Sequence, residues 1–147
     1  MSFGYVAGDG AIATPDARKH LYFKPVEGRG RGVFCSRPIS RGEIIDVAPV
    51  VVISERERAA LEQTQLANYY FKYYDAWAVV MGIPSLLNHD KDGNVHCHSN
   101  LAATVYVFYA IRDIPADTEL LLDYSDGENA EVVFSADGNY TLRLRDV

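Results

Sequence analysis

Two leucines, an Asn-His pair and a polar loop follow one another in the segment Leu86-Leu87-Asn88-His89-Asp90-Lys91-Asp92-Gly93-Asn94. Asparagine tolerates the left-handed backbone conformation and bonds to neighbouring backbone groups, so the pair alone predicts only a turn. A lone histidine is likewise an ordinary surface or core residue. Any further meaning of this segment depends on the residues upstream and downstream of it.

A glycine-rich turn, Gly28-Arg29-Gly30-Arg31-Gly32, lies upstream between two short apolar runs. Glycine has no Cβ, so the backbone of such a turn can approach a ligand closely. The turn alone also fits an ordinary hairpin loop. It fails the dinucleotide-binding fingerprint, which requires a strand, a helix and a later acidic residue. A basic Arg-Gly segment for nucleic acid is a further alternative, which the acidic composition of the chain disfavours.

A pair of strands is predicted downstream of the Asn-His pair. Residues 104–111 are apolar and rich in β-branched and aromatic types, which indicates a buried strand. Pro115-Ala116-Asp117-Thr118 has turn composition, and Glu119-Leu120-Leu121-Leu122-Asp123-Tyr124 predicts the next strand. A tyrosine at the end of a strand is usually a packing residue.

Taken in this order and at this spacing, the three segments resemble the SET-domain protein lysine methyltransferases. The resemblance covers roughly residues 20–125, with Asp90 and Gly93 where the family commonly has Ser and Pro. It implies a mainly β (α+β) SET fold of small β-sheets with one main helix. In that fold the Asn88-His89 segment and the Tyr124 segment come together as a knot-like substructure, which is rare among proteins.

The resemblance also implies an activity, the transfer of methyl groups from S-adenosylmethionine to the ε-amine of a protein lysine. The substrate would be a histone or another basic protein, and Tyr124 would be the catalytic residue. The family's metal is held by cysteines after the Asp-Tyr strand, and this chain has none there. A SET-like module that binds a basic peptide without catalysis is the alternative. The implied cofactor contacts are Gly30, Arg31, Gly32, Asn88, His89 and Tyr124.

Three side chains are candidates for contact with the substrate lysine: Leu122, Tyr69 and Tyr106. Leu122 stands two residues before Tyr124, where family members that stop at one methyl group often carry a tyrosine. A leucine there predicts room for more than one methyl group. Tyr69 and Tyr106 are aromatic candidates for the same space, since aromatic faces attract the lysine cation.

One main helix is expected after Ser54, because Ser54 and Glu57 have the spacing of a capping box. Helical spacing then continues through an aromatic run and predicts one face that packs into the core. Tyr69 and Tyr73 would lie off that face. The residues of the predicted face are Leu66, Tyr70, Tyr74 and Trp77.

No linker, internal repeat or low-complexity tract divides the chain, so its 147 residues predict a single domain, 1–147. Residues 1–19 are expected to form a loose lead-in. Residues 125–147 are expected to form a C-terminal hairpin around Asp137-Gly138. Phe134 and Tyr140 of that hairpin are our candidates for completing the lysine channel.

The composition limits the kinds of binding partner and metal site that we expect. The net charge of −6 disfavours direct nucleic-acid binding and suits a basic peptide. Cys35 and Cys97 are too few for a disulfide framework or a four-cysteine zinc site, so both are predicted to be reduced thiols. His96 and His98 point the same way along a strand, but the paired cysteines of zinc sites are missing. We therefore expect no metal.

The N-terminus has neither the basic region nor the apolar region of a secretory signal, and no apolar run is long enough to span a bilayer. These features predict an intracellular protein of the nucleus or cytoplasm that does not bind membranes. It is expected to be a monomer or a homodimer.

Overall fold

The computed structural model describes residues 12–67, 69–100 and 104–122, and the backbone of residues 130–134 and 140–144. Strands dominate these residues and one α-helix occurs among them, which confirms the predicted mainly β fold. The helix α1 spans Glu55–Leu61, and short 3₁₀ turns span Asp16–His20 and Ile83–Leu86. The strands are β1 (Leu21–Val26), β2 (Gly30–Cys35), β3 (Ile44–Ile53), β4 (Tyr70–Tyr73), β5 (Ala76–Val80), β6 (Asn88–His89), β7 (Val95–Asn100), β8 (Val105–Ala110), β9 (Glu119–Leu122), β10 (Ala130–Phe134) and β11 (Tyr140–Leu144).

Nine of these strands form one hydrogen-bonded sheet. Eight of them follow the order β1-β2-β9-β7-β8-β3-β5-β4, and β6 pairs with β9 off this path. Strand β9 runs antiparallel to β2 and parallel to both β6 and β7. It therefore joins the N-terminal hairpin to the strands of the middle of the chain. Strands β10 and β11 form a separate antiparallel pair, as the Asp-Gly signal predicts.

The Asn-His segment lies beside the strand that precedes Tyr124, as predicted. Asn88 pairs with Leu121 and His89 pairs with Leu122 in parallel register. Tyr124 itself lies outside the described residues. The knot-like contact is thus formed by β6 and β9.

A side chain extends the hydrogen bonding of β9 beyond what the two-residue strand β6 supplies. Asn94 Nδ2 donates to the carbonyl oxygen of Glu119 at 3.0 Å, and Asn94 Oδ1 accepts from the backbone N–H of Leu121 at 2.8 Å. The amide thus satisfies one acceptor and one donor of β9 in the way that a strand residue would. Asn94 is 7% exposed, so water competes poorly for these two bonds.

The core is built around β8, in which all six residues are buried. This confirms the buried strand predicted from the apolar run at 104–111. Leu120 and Leu122 of β9 join the same core, each 1% exposed. The strand at the knot-like contact therefore also supplies core side chains.

The start of the predicted helix is confirmed. Ser54 Oγ accepts from the backbone N–H of Glu57 at 3.2 Å, and a Glu57 carboxylate oxygen accepts from the Ser54 N–H at 2.7 Å. These reciprocal bonds form a capping box. However, α1 ends at Leu61, and the prediction that it continues through the aromatic run is wrong.

The aromatic run forms the hairpin β4–β5 instead, and it turns at Tyr74, whose φ is +55°. Tyr73 is buried and Tyr74 is exposed, so the predicted helical stripe containing Tyr70 and Tyr74 is also wrong. Aromatic and β-branched residues fit a pleated, half-buried surface, which favours strands for Tyr70–Tyr73 and Ala76–Val80. The helical spacing of the aromatic residues is coincidental.

The predicted lead-in is packed where it is described. The 3₁₀ turn Asp16–His20 buries Ala17 completely, while residues 1–11 lie outside the described part of the chain. No helix among the described residues is long and apolar enough to cross a membrane.

We expect Asn94→Ala to destabilise the fold, because it leaves the Glu119 carbonyl and the Leu121 N–H without partners. Each buried polar group that loses its partner costs about 1–3 kcal/mol. Urea unfolding measures the change. Lys91→Ala is the matched control, since Lys91 is an exposed residue of the same loop. Equal stability of the two variants would contradict the role of Asn94.

Candidate functional site

A cleft of about 480 Å³ lies where β2, β6 and the segment before β6 meet. This volume falls within the range of small-molecule sites, about 300–1,000 Å³. Sequence-predicted residues contribute much of the wall. The lining residues are Arg29, Gly30, Arg31, Tyr69, Ser85, Leu86, Leu87, Asn88 and His89.

The two predicted glycines meet different requirements. Gly30 has φ +75°, a conformation that favours glycine, and a Cβ added there would meet open space. Gly32 is buried, and an added Cβ would lie 2.7 Å from Glu119 Oε2 and 2.8 Å from Val26 Cγ2. Gly30 therefore shapes the turn that borders the cleft, whereas Gly32 allows Glu119 to approach the backbone.

The Asn88 amide is oriented by two acceptors. Its Nδ2 donates to the backbone oxygen of Arg31 at 2.8 Å and to Glu119 Oε2 at 2.7 Å. A carbonyl oxygen and a carboxylate oxygen both accept hydrogen bonds and do not donate them. The Asn88 amide nitrogen must therefore face these two partners. Both amide hydrogens are thereby used, and Oδ1 is the side-chain atom left to accept from a ligand.

A charged group flanks this amide. Arg29 is 40% exposed, and its guanidinium lies 3.5 Å from Asp90 Oδ2 and 3.9 Å from Glu119 Oε1. The pKa of the Asp90 carboxyl is held below its ordinary value, first by a hydrogen bond from the Asp92 backbone N–H and then by Arg29. At neutral pH the site therefore places the Arg29 guanidinium beside the ionised Asp90 carboxylate.

The three candidates for lysine contact lie in different surroundings. Tyr69 is half-buried and lines the cleft. Tyr106 is buried, and its hydroxyl donates a hydrogen bond to the Lys72 carbonyl oxygen. Its ring is tilted at 49° to that of Phe71, with 5.4 Å between the ring centroids. Leu122 lies in the core, and the residues that follow it, 123–129, lie outside the described part. The assignment of these side chains to a lysine channel stays a prediction, as does the catalytic assignment of Tyr124.

The candidate channel hairpin is described only as backbone, so the side chains of Phe134 and Tyr140 are outside the described atoms. Within the described side chains, no group of three or more His, Cys, Asp or Glu is placed to hold a metal ion. Cys35 is buried and Cys97 half-buried, and neither forms a disulfide bond.

Sequence reasoning missed two site residues, the cleft residue Arg29 and the Asn88 partner Glu119. Glu119 belongs to the quoted strand segment, but an acidic residue at the start of a strand is an ordinary surface feature in sequence. Its contact with Asn88 crosses 31 positions of the chain. Only the pairing of β6 with β9 makes that contact predictable, so no local pattern identifies it.

Comparison with known proteins gives the family. The SET domain family model matches residues 30–125. A Schizosaccharomyces pombe histone-lysine N-methyltransferase, H3 lysine-37 specific, is 29% identical over 117 residues, or 78% of this chain and 80% of that protein. The N-lysine methyltransferase KMT5A-A of Danio rerio is 31% identical over 124 residues and covers 73% of this chain. This chain spans about a third of that second relative, 36% of its length.

Solved structures give the same result. A crystal structure of a Plasmodium falciparum protein assigned as a histone methyltransferase has a TM-score of 0.60 and 26% identity, covering 74% of this chain and 95% of that one. The structure of the Neurospora SET domain protein DIM-5, a histone lysine methyltransferase, has a TM-score of 0.58 and 22% identity. The match covers 73% of this chain and 52% of the DIM-5 chain, and it supports the fold alone. With a family model that matches most of its length and the knot-like β6–β9 contact in place, the chain belongs to the SET-domain family of lysine methyltransferases.

Proposed function

We propose that this protein transfers methyl groups from S-adenosylmethionine to the ε-amine of a lysine in a histone or another basic protein. The observation that carries the proposal is the convergence of the glycine turn and Asn88 at one cleft, with the Asn88 amide hydrogen-bonded to Arg31 and to Glu119 of β9. Relatives named as histone-lysine methyltransferases support the substrate class. The net charge of −6 favours encounter with a basic substrate. The proposal places the enzyme inside the cell, with its substrate.

The lining of the cleft fits this cofactor. S-adenosylmethionine carries a carboxylate, an ammonium group and an adenine, and when bound it supplies a methyl group on a positively charged sulfur. Arg29 offers a cation, Asn88 Oδ1 offers an acceptor and Tyr69 offers an aromatic face. The open space at Gly30 allows close approach to the backbone. These residues would hold the cofactor.

The chemistry requires a neutral lysine amine, because the protonated form has no free electron pair. The unperturbed pKa of lysine is about 10.4, so in water the amine is protonated near neutral pH. Burial in an apolar channel and proximity to a positive charge both lower that pKa. The protein would then contribute mainly by alignment of the amine, and we assign this role to the Tyr124 hydroxyl.

The direct test is label transfer from S-adenosylmethionine to core histones, with Tyr124→Phe as the matched variant. We expect the wild type to label at least one histone. Tyr124→Phe retains the ring and removes the hydroxyl, so it should lower turnover about a hundredfold, which is roughly 2.7 kcal/mol of transition-state stabilisation. Cofactor affinity should change little.

Two results would overturn this proposal in different ways. Cofactor binding without label transfer to any histone or lysate protein would favour the non-catalytic module that only binds a basic peptide. Unchanged turnover in Tyr124→Phe would exclude the hydroxyl from the alignment role.

A second prediction concerns cofactor affinity. Asn88→Ala removes the acceptor Oδ1 from the cleft wall, and we expect weaker binding of S-adenosylhomocysteine in calorimetry. The loss should be about tenfold to a hundredfold, as for one hydrogen bond to a charged group worth about 1.5–3 kcal/mol. Thermal stability without ligand should change little, because Asn88 is half-buried and Glu119 keeps Arg29 as a neighbour. Equal affinity in the variant would refute the assignment.

A third prediction concerns the number of methyl groups. Leucine at position 122 is smaller than an aromatic residue and offers no hydroxyl, so extended reactions should give dimethyl or trimethyl lysine by mass spectrometry. Leu122→Tyr should shift the product towards monomethyl lysine. Its melting temperature must be measured alongside, because Leu122 is 1% exposed and a larger side chain strains the core. Wild-type product that stays monomethyl at full conversion would refute the prediction.

A further inference from the structure

We infer that Glu119 is a positioning residue, which orients the Asn88 amide so that its Oδ1 is presented to a ligand in the cleft. Glu119 is absent from the described residues that line the cleft, so it acts through Asn88. The inference rests on the proposed function, because the ligand whose affinity reports on it is the cofactor or its product.

The contact is short and partly shielded from water. Glu119 Oε2 lies 2.7 Å from Asn88 Nδ2, and the Glu119 side chain is 17% exposed. A hydrogen bond to an ionised carboxylate is roughly twice as strong as a neutral one, and a lower local dielectric strengthens it further. An inverted amide would turn Oδ1 towards the carboxylate and towards the Arg31 oxygen, so Glu119 disfavours that orientation.

Gly32 provides independent evidence that the carboxylate needs this position. The space that a side chain at position 32 would occupy is filled by Glu119 Oε2, at 2.7 Å from an added Cβ. A methyl group at position 32 therefore displaces the carboxylate from Asn88. The other carboxylate oxygen, Oε1, faces Arg29 at 3.9 Å, so both oxygens of Glu119 have defined neighbours.

The test is a double-mutant cycle on the binding of S-adenosylhomocysteine, measured by calorimetry on the full chain. We expect Glu119→Ala to weaken binding about tenfold, which corresponds to about 1.4 kcal/mol. Glu119→Gln retains an oxygen acceptor for Asn88 and should recover most of the affinity. In an Asn88→Ala background, Glu119→Ala should cause no further loss, because coupled residues are not additive.

A second pair of variants separates positioning from general damage to the glycine turn. Gly32→Ala should weaken binding as Glu119→Ala does, and the two together should be no worse than either alone. Gly28→Ala is the control, since Gly28 has φ +77° and open space around its Cβ position. Gly28→Ala adds a methyl group and backbone strain to the same glycine turn but leaves Glu119 in place. Affinity for S-adenosylhomocysteine should therefore be retained.

The outcomes distinguish this inference from the proposed function. Absence of binding by the wild type would overturn the proposed function and this inference with it. Binding by the wild type with undiminished affinity in Glu119→Ala would overturn the inference alone. Full additivity of the affinity losses from Glu119→Ala and Asn88→Ala would also overturn the inference alone. So would a Glu119→Gln variant that binds as poorly as Glu119→Ala at an equal melting temperature.

Discussion

The site depends on how β9 is held between segments that are distant in sequence. Strand β6 supplies only two paired residues, which is a short ladder for a central strand. The buried Asn94 amide adds a donor and an acceptor on the same side of β9. Val95 then pairs with Leu122. The segment from Asn88 to Val95 therefore contacts β9 through its first residue and through its last. Without these contacts, the glycine turn and the Asn-His segment would have no common neighbour.

Strand alternation lets β9 serve the core and the site together. Successive side chains point to opposite faces, so Leu120 and Leu122 are buried while Glu119 and Leu121 are only half-buried. Glu119 thereby reaches Asn88 and the backbone at Gly32 from the face opposite to the core leucines. A register shift of one residue would exchange the faces, and it would place a carboxylate in the core and a leucine at Asn88. Core packing therefore fixes the position of the site carboxylate.

The sequence predicted the mainly β fold and the approach of Asn88 to β9 because both rest on short motifs in a recognisable order. It failed at the aromatic run, where Tyr70 and Tyr74 have helical spacing but the residue types favour strands. The spacing of apolar residues alone does not distinguish a short helix from a hairpin when most residues of the segment are apolar. Glu119 was missed for a different reason, since its partner Asn88 becomes its neighbour only when two remote strands pair. Local patterns contain no information about such a contact.

Parallel pairing of remote segments has a further consequence for the site. Asn88 and Leu121 are brought together across a long stretch of chain, and loop closure must be complete before their hydrogen bonds form. The Asn88 amide has its donors satisfied only when β2 and β9 are both in place, since one acceptor comes from Arg31 and the other from Glu119. The orientation of this amide is therefore a property of the completed fold. A ligand that requires Oδ1 to face the cleft would bind the assembled β2–β9–β6 arrangement in preference to partly folded forms, so its affinity couples to the docking of β9.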